Sequence, residues 1–111
     1  MVKFSGENWS GSLLINVTAK ASGSVNSYSW YLESTAHSWV VEIAEEHAIE
    51  PNDLPLVGFG CGGWLYECKV CDFPENEIDF IRYFEKELSL VFTMFQQSKL
   101  TYIPAITACN D

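Results

Sequence analysis

The chain has 111 residues with 15 acidic against 6 basic side chains, which gives a formal net charge of −9 at pH 7, and 48% of its residues are hydrophobic. This apolar content excludes an intrinsically disordered chain, and the acidic balance disfavours binding to nucleic acid or to an anionic membrane surface. The length predicts one domain that covers residues 1–111.

Neither a membrane span nor a secretion signal is predicted. The sequence contains no apolar run of about 18 residues, the length that a transmembrane helix needs, and its first residues lack the apolar core of a signal peptide. We therefore expect a cytoplasmic protein. In that reducing compartment the four cysteines, at positions 61, 68, 71 and 109, are expected to be free thiols, although four cysteines would also allow a disulfide framework.

In the first half of the chain, the patterns predict a hairpin followed by a helix. The β-branched and apolar residues of 12–19 predict a strand, the composition of 21–27 (ASGSVNS) predicts a turn, and 28–32 predicts a second strand. Ser34 and Thr35 are good N-cap residues. The apolar residues after them recur at helical spacing as far as 47, so a helix is predicted there.

In the second half, the patterns predict two strands, a long helix and a last strand. The strands, 56–61 and 64–70, are joined by a glycine pair that suits a tight turn. The long helix lies within 72–98, where Asp72 and Glu75 are spaced as in a capping box and Pro74 is predicted to be the first helical residue. Residues 100–108 predict the last strand.

The predicted order is therefore ββαββαβ. It corresponds to an α+β fold with a mainly antiparallel sheet of about five strands and two helices.

The negative charge is concentrated in the middle of the chain, where residues 42–87 hold twelve acids and three bases. On the predicted first helix, Glu42, Glu45 and Glu46 share one face without a lysine or arginine, and they lie in the C-terminal half, where the helix dipole disfavours negative charge. Such a cost to stability indicates a surface that binds something positive, although a solvated acidic face is an equally simple interpretation. Acids at 75, 77 and 79 are explained by the helix start alone.

The predicted partner-binding site extends this acidic surface. It includes Trp64, which lies beside the glycine turn at a predicted hairpin tip and is expected to be the most exposed of the four tryptophans. The complete predicted set is Glu42, Glu45, Glu46, Glu50, Asp53, Trp64, Glu67 and Asp72.

No metal, cofactor or catalytic residue is predicted. Cys68 and Cys71 have the C-x2-C spacing of a zinc site, but residues three apart on a strand face opposite sides. The glycine-rich run 58–63 lacks the lysine of a phosphate-binding loop, and no motif indicates a Cys–His catalytic pair.

In size, acidity and α+β pattern, the whole chain resembles the small acidic immunity proteins of bacterial toxin systems, such as those of contact-dependent growth inhibition. This resemblance implies a non-catalytic inhibitor that binds and blocks the basic active-site cleft of a toxin, with a nuclease as the expected partner. The alternative is a small-molecule-binding domain or small enzyme. Its pocket would lie between the sheet and the long helix and be lined by Tyr66, Cys68 and Tyr83.

Overall fold

The computed structural model describes residues 2–15, 19–44, 63–70, 72–97, 99 and 101–103. These residues form one antiparallel sheet with the strand order β1-β2-β3-β4-β5-β6-β7 and one helix, α1. The strands are β1 Val2–Gly6, β2 Trp9–Ile15, β3 Ala19–Val25, β4 Tyr28–Ser34, β5 Ser38–Ala44, β6 Gly63–Lys69 and β7 Thr101–Ile103, and the helix is α1 Glu77–Gln96.

The chain has an α+β fold, but the predicted arrangement of about five strands and two helices in the order ββαββαβ is wrong. The first predicted helix is the main error, because Ser38–Ala44 is strand β5, paired with β4 on one side and β6 on the other. Every second side chain of this strand, Trp39, Val41 and Ile43, points into the core. Their spacing of two is that of a strand, and bulky β-branched residues favour this conformation.

The predicted turn at 21–27 is also wrong, because most of it belongs to β3. The paired positions Gly11 of β2 and Gly23 of β3 have no room for a larger side chain. A Cβ on Gly11 would lie 2.4 Å from the ring of Trp30, and a Cβ on Gly23 would lie 2.0 Å from the carbonyl oxygen of Ser10. The real turn is made by Asn26 and Ser27, whose φ values of 49° and 69° are those of a two-residue hairpin turn.

Strand β1 was not predicted from the sequence. It pairs with β2 in the register Val2↔Leu13 to Gly6↔Trp9, and Phe4 points into the core. The predicted strand 56–61 lies outside the described residues, as does most of the predicted strand 100–108. The predicted strand 64–70 is confirmed as β6.

Helix α1 lies within the predicted stretch, but its start differs from the prediction. Asn76 is the N-cap, and its side-chain oxygen accepts hydrogen bonds from the backbone N–H groups of Ile78 at 2.8 Å and Asp79 at 3.3 Å. The predicted capping box at Asp72 and Glu75 is therefore wrong. An asparagine at this position satisfies two of the N–H groups that a helix start leaves without partners.

The core lies between α1 and one face of the sheet, and aromatic side chains dominate it. The indole of Trp30 is fully buried and its ring centroid lies 5.4 Å from that of Phe92 and 6.0 Å from that of Trp9. Trp9 also donates a hydrogen bond from Nε1 to Ser89 Oγ at 3.1 Å. These contacts fix which face of α1 meets the sheet. The other sheet face, which we call the second face, carries the alternate side chains of each strand.

Within the described part of the chain, no helix has the length and apolar content that crossing a membrane requires.

Candidate functional site

The structure places Glu42 on strand β5, not on the predicted helix face. Glu42 lies in the middle of β5, on the second face, between Tyr31 of β4 and Leu65 of β6. Its exposed fraction is 0%. Glu45, Glu46, Glu50 and Asp53 lie outside the described residues. Negative charge on a helix face, near the C-terminal end of the helix dipole, lowers stability. This cost does not arise at Glu42, because Glu42 lies on a strand.

The other three predicted residues lie in separate places. Trp64 faces α1 and is half-buried, with its ring centroid 6.2 Å from that of Phe95. It is the most exposed of the four tryptophans, since Trp9, Trp30 and Trp39 are buried, as predicted. Glu67 is exposed on the second face, where it lines a cavity of about 440 Å³ with Lys20 and Glu33. Asp72 is exposed just before α1. The four described members of the predicted set, Glu42, Trp64, Glu67 and Asp72, therefore do not form one exposed surface.

The exposed acids that the structure does bring together surround the start of α1. We call residues 72–79 the acidic segment, in which Asp72, Glu75, Glu77 and Asp79 are all exposed. Ile78 lies among them with 60% of its surface exposed, the highest value for a large apolar residue in the described part of the chain. The segment combines four carboxylates with one apolar side chain.

The carboxylates of the acidic segment are not neutralised by the chain's own cations. All six lysine and arginine residues lie within the described ranges. The ion pair found among the described residues, with nitrogen and oxygen within 4.0 Å, joins Lys20 Nζ to Glu33 Oε1 at 3.6 Å. It involves no carboxylate of the acidic segment. Glu77 and Asp79 stabilise the first turn of α1 through the helix dipole, as expected from the sequence. Asp72 and Glu75 precede the helix and have no such role in its first turn.

A group of side chains with polar atoms, which includes the predicted pocket residues, lies between the sheet and α1. Trp39 Nε1 donates a hydrogen bond to the hydroxyl oxygen of Tyr83 at 3.1 Å, and the Cys68 thiol donates one to the carbonyl oxygen of Lys69 at 3.6 Å. The ring of Tyr66 lies 5.6 Å from that of Trp39, centroid to centroid. The three residues predicted to line a pocket are thus neighbours, but they pack against the core.

This group is not poised for nucleophilic chemistry. Burial raises the pKa of the Cys68 thiol, and the negative charge of Glu87 raises it further. Burial also raises the pKa of Tyr66 and of Tyr83. A thiol with a raised pKa is protonated at neutral pH and is a weak nucleophile. Cavities of about 170 to 440 Å³ formed by described residues lie on the second face and beside the β1–β2 turn.

The described residues contain no group of three or more His, Cys, Asp or Glu side chains that could hold a metal ion. Cys68 is a free thiol. The other three cysteines lie outside the described ranges, so their pairing stays a prediction. His37 is exposed in the β4–β5 turn, not on a helix as the sequence pattern suggested.

One polar cluster on the second face was not predicted. The hydroxyl of Tyr31 donates a hydrogen bond to Glu33 Oε1 at 3.0 Å, and Lys20 pairs with the same carboxylate. Burial and the bond to Glu33 raise the pKa of Tyr31 to about 12. Two residues separated by one position on a strand share a face, so the spacing of Tyr31 and Glu33 could have indicated this contact.

Comparisons of the chain with protein-family models, with curated proteins and with solved structures find no match.

Proposed function

We propose that this chain is a non-catalytic inhibitor of the immunity type, which binds a basic surface of a partner protein and blocks it. The expected partner is a toxin, with a nuclease as the first candidate because its phosphate-binding cleft is basic. The observation that carries the proposal is the acidic segment, whose four exposed carboxylates have no lysine or arginine of the described chain within 4.0 Å.

The charge of the acidic segment would act mainly on the rate and selectivity of association. A chain with a net charge of −9 attracts a basic partner and repels acidic ones, and exposed charges at the edge of an interface change the association rate and its salt dependence. At physiological salt this attraction acts over roughly 8 Å, so the acidic segment has to face the partner directly. We therefore expect binding that weakens steeply as salt is added.

Ile78 gives the acidic segment an apolar contact. Protein interfaces commonly have an apolar centre with a polar rim, and a few central residues carry most of the binding free energy. Ile78 lies between Glu77 and Asp79 in the chain and is 60% exposed. The partner surface that fits is an apolar recess bordered by lysine and arginine side chains.

This proposal moves the binding surface from its predicted location. Glu42 cannot contact a partner in this fold, because its side chain is fully buried. Of the predicted set, Asp72 belongs to the acidic segment. The contributions of Glu67 and of the acids outside the described residues stay predictions.

The charge part of the proposal is tested with two variants of equal net charge. The variant Asp72→Asn/Glu75→Gln removes two carboxylates that precede α1, and the control Glu7→Gln/Glu33→Gln removes two that are exposed elsewhere. Exposed pairs contribute about 0.2 to 1 kcal/mol each, so the first variant should bind a basic toxin domain encoded beside this gene roughly two- to thirtyfold more weakly. Equal losses in both variants would show that only overall charge matters.

The apolar part is tested by Ile78→Ala with Leu90→Ala as its control. Both side chains are exposed on α1, at 60% and 54%, and alanine favours a helix, so neither change should unfold the protein. We expect Ile78→Ala to weaken binding at least about tenfold and Leu90→Ala to leave it unchanged. Isothermal titration and a nuclease inhibition assay would measure this, and equal affinities for the two variants would remove Ile78 from the interface.

The small-molecule alternative rests on the grouping of Tyr66 and Tyr83 around Trp39, where Tyr83 accepts a hydrogen bond and the Tyr66 ring lies 5.6 Å away, although these side chains pack against the core. A thermal-shift measurement separates it from the inhibitor, because a ligand that binds only the folded state stabilises it by mass action. Stabilisation by the basic toxin domain supports the inhibitor. Stabilisation by a metabolite, without any effect of basic proteins, supports the alternative.

A further inference from the structure

We draw no further inference here: the strongest candidate, the exposed second face of strands β1 to β4, where Ser5, Ser10 and Ser24 form one row across three strands beside the shallow cavities around Lys3 and Lys20, carries no proposal because nothing in the structure shows what covers it.

Discussion

Replacing Glu42 with lysine is the most direct test of the fold described above. Strand β5 buries this side chain completely, between Tyr31 and Leu65. Lysine is longer and carries the opposite charge, so it must either bury an ammonium group or open the pairing of β5. If residues 36–47 formed the helix that the sequence pattern suggests, the same change would relieve repulsion between glutamates and leave stability equal or higher.

The expected loss is large in relation to the stability of a domain. Leaving an uncompensated charge in a buried site costs about 3 to 5 kcal/mol, and domains of this size unfold with a free energy of about 5 to 15 kcal/mol. In urea, where the dependence on denaturant is about 1 to 3 kcal/mol per molar, a loss of about 3 kcal/mol lowers the unfolding midpoint by about 1 to 3 M. The same loss lowers Tm by roughly 12 °C.

Glu67→Lys is the matched control. Glu67 lies on the neighbouring strand and on the same face of the sheet, but its side chain is exposed. The two variants change the net charge equally, and a surface substitution of this kind changes stability by about 0.5 kcal/mol or less. Urea unfolding followed by tryptophan fluorescence compares the two midpoints. If Glu42→Lys proved as stable as Glu67→Lys, the burial of Glu42 and the placement of β5 would be wrong.

Three further substitutions test the core, the helix start and the polar cluster. Phe92→Ala removes a buried ring that packs on Trp30 and should lower the free energy of unfolding by about 3 to 5 kcal/mol, measured in urea, whereas a loss below about 1 kcal/mol would contradict the packing of α1. Asn76→Ala should cost about 1 kcal/mol because two backbone N–H groups lose their acceptor, while Asn76→Asp should retain stability, and equal melting of both variants would refute the cap. The pKa of Tyr31 is raised from 10.0 to about 12. The protonated Tyr31 hydroxyl therefore stabilises the folded protein fully below pH 10, and this stabilisation is lost as pH rises toward 12. In an ultraviolet titration, Tyr31→Phe should remove a tyrosine that ionises near pH 12 and Glu33→Gln should lower that pKa, and a wild-type protein in which every tyrosine ionises near pH 10 would contradict the contact.

Some elements could be predicted because a single periodicity fits them. In α1 the apolar residues recur at helical spacing over twenty residues, and no strand of that length would be plausible. Strand β6 was also predicted correctly, from an extended run containing Trp64 and Tyr66 that follows a glycine pair. Even here the start of α1 was misplaced, because Asp72, Glu75 and Asn76 are all acceptable near a helix start. Only the path of the chain decides which of them meets the free N–H groups.

Residues 38–44 show why other elements could not be predicted. Their apolar side chains fit a helix face through Trp39, Val40 and Ile43, and they fit a strand face through Trp39, Val41 and Ile43. The segment itself does not choose between the two, since the choice depends on whether strands are available on both sides. Strands β4 and β6 supply those partners. The side chain of Glu42 is buried in the resulting fold, whereas that of Glu67 on the same face is exposed.

The sequence by itself determined the α+β class, the long apolar helix and the net charge of −9, because composition and a sustained periodicity do not depend on neighbours. The tertiary structure alone decided which carboxylates face solvent. Burial is a property of packing between segments that are distant in the chain, so Glu42 and Asp72 look alike in the sequence and differ completely in the folded protein.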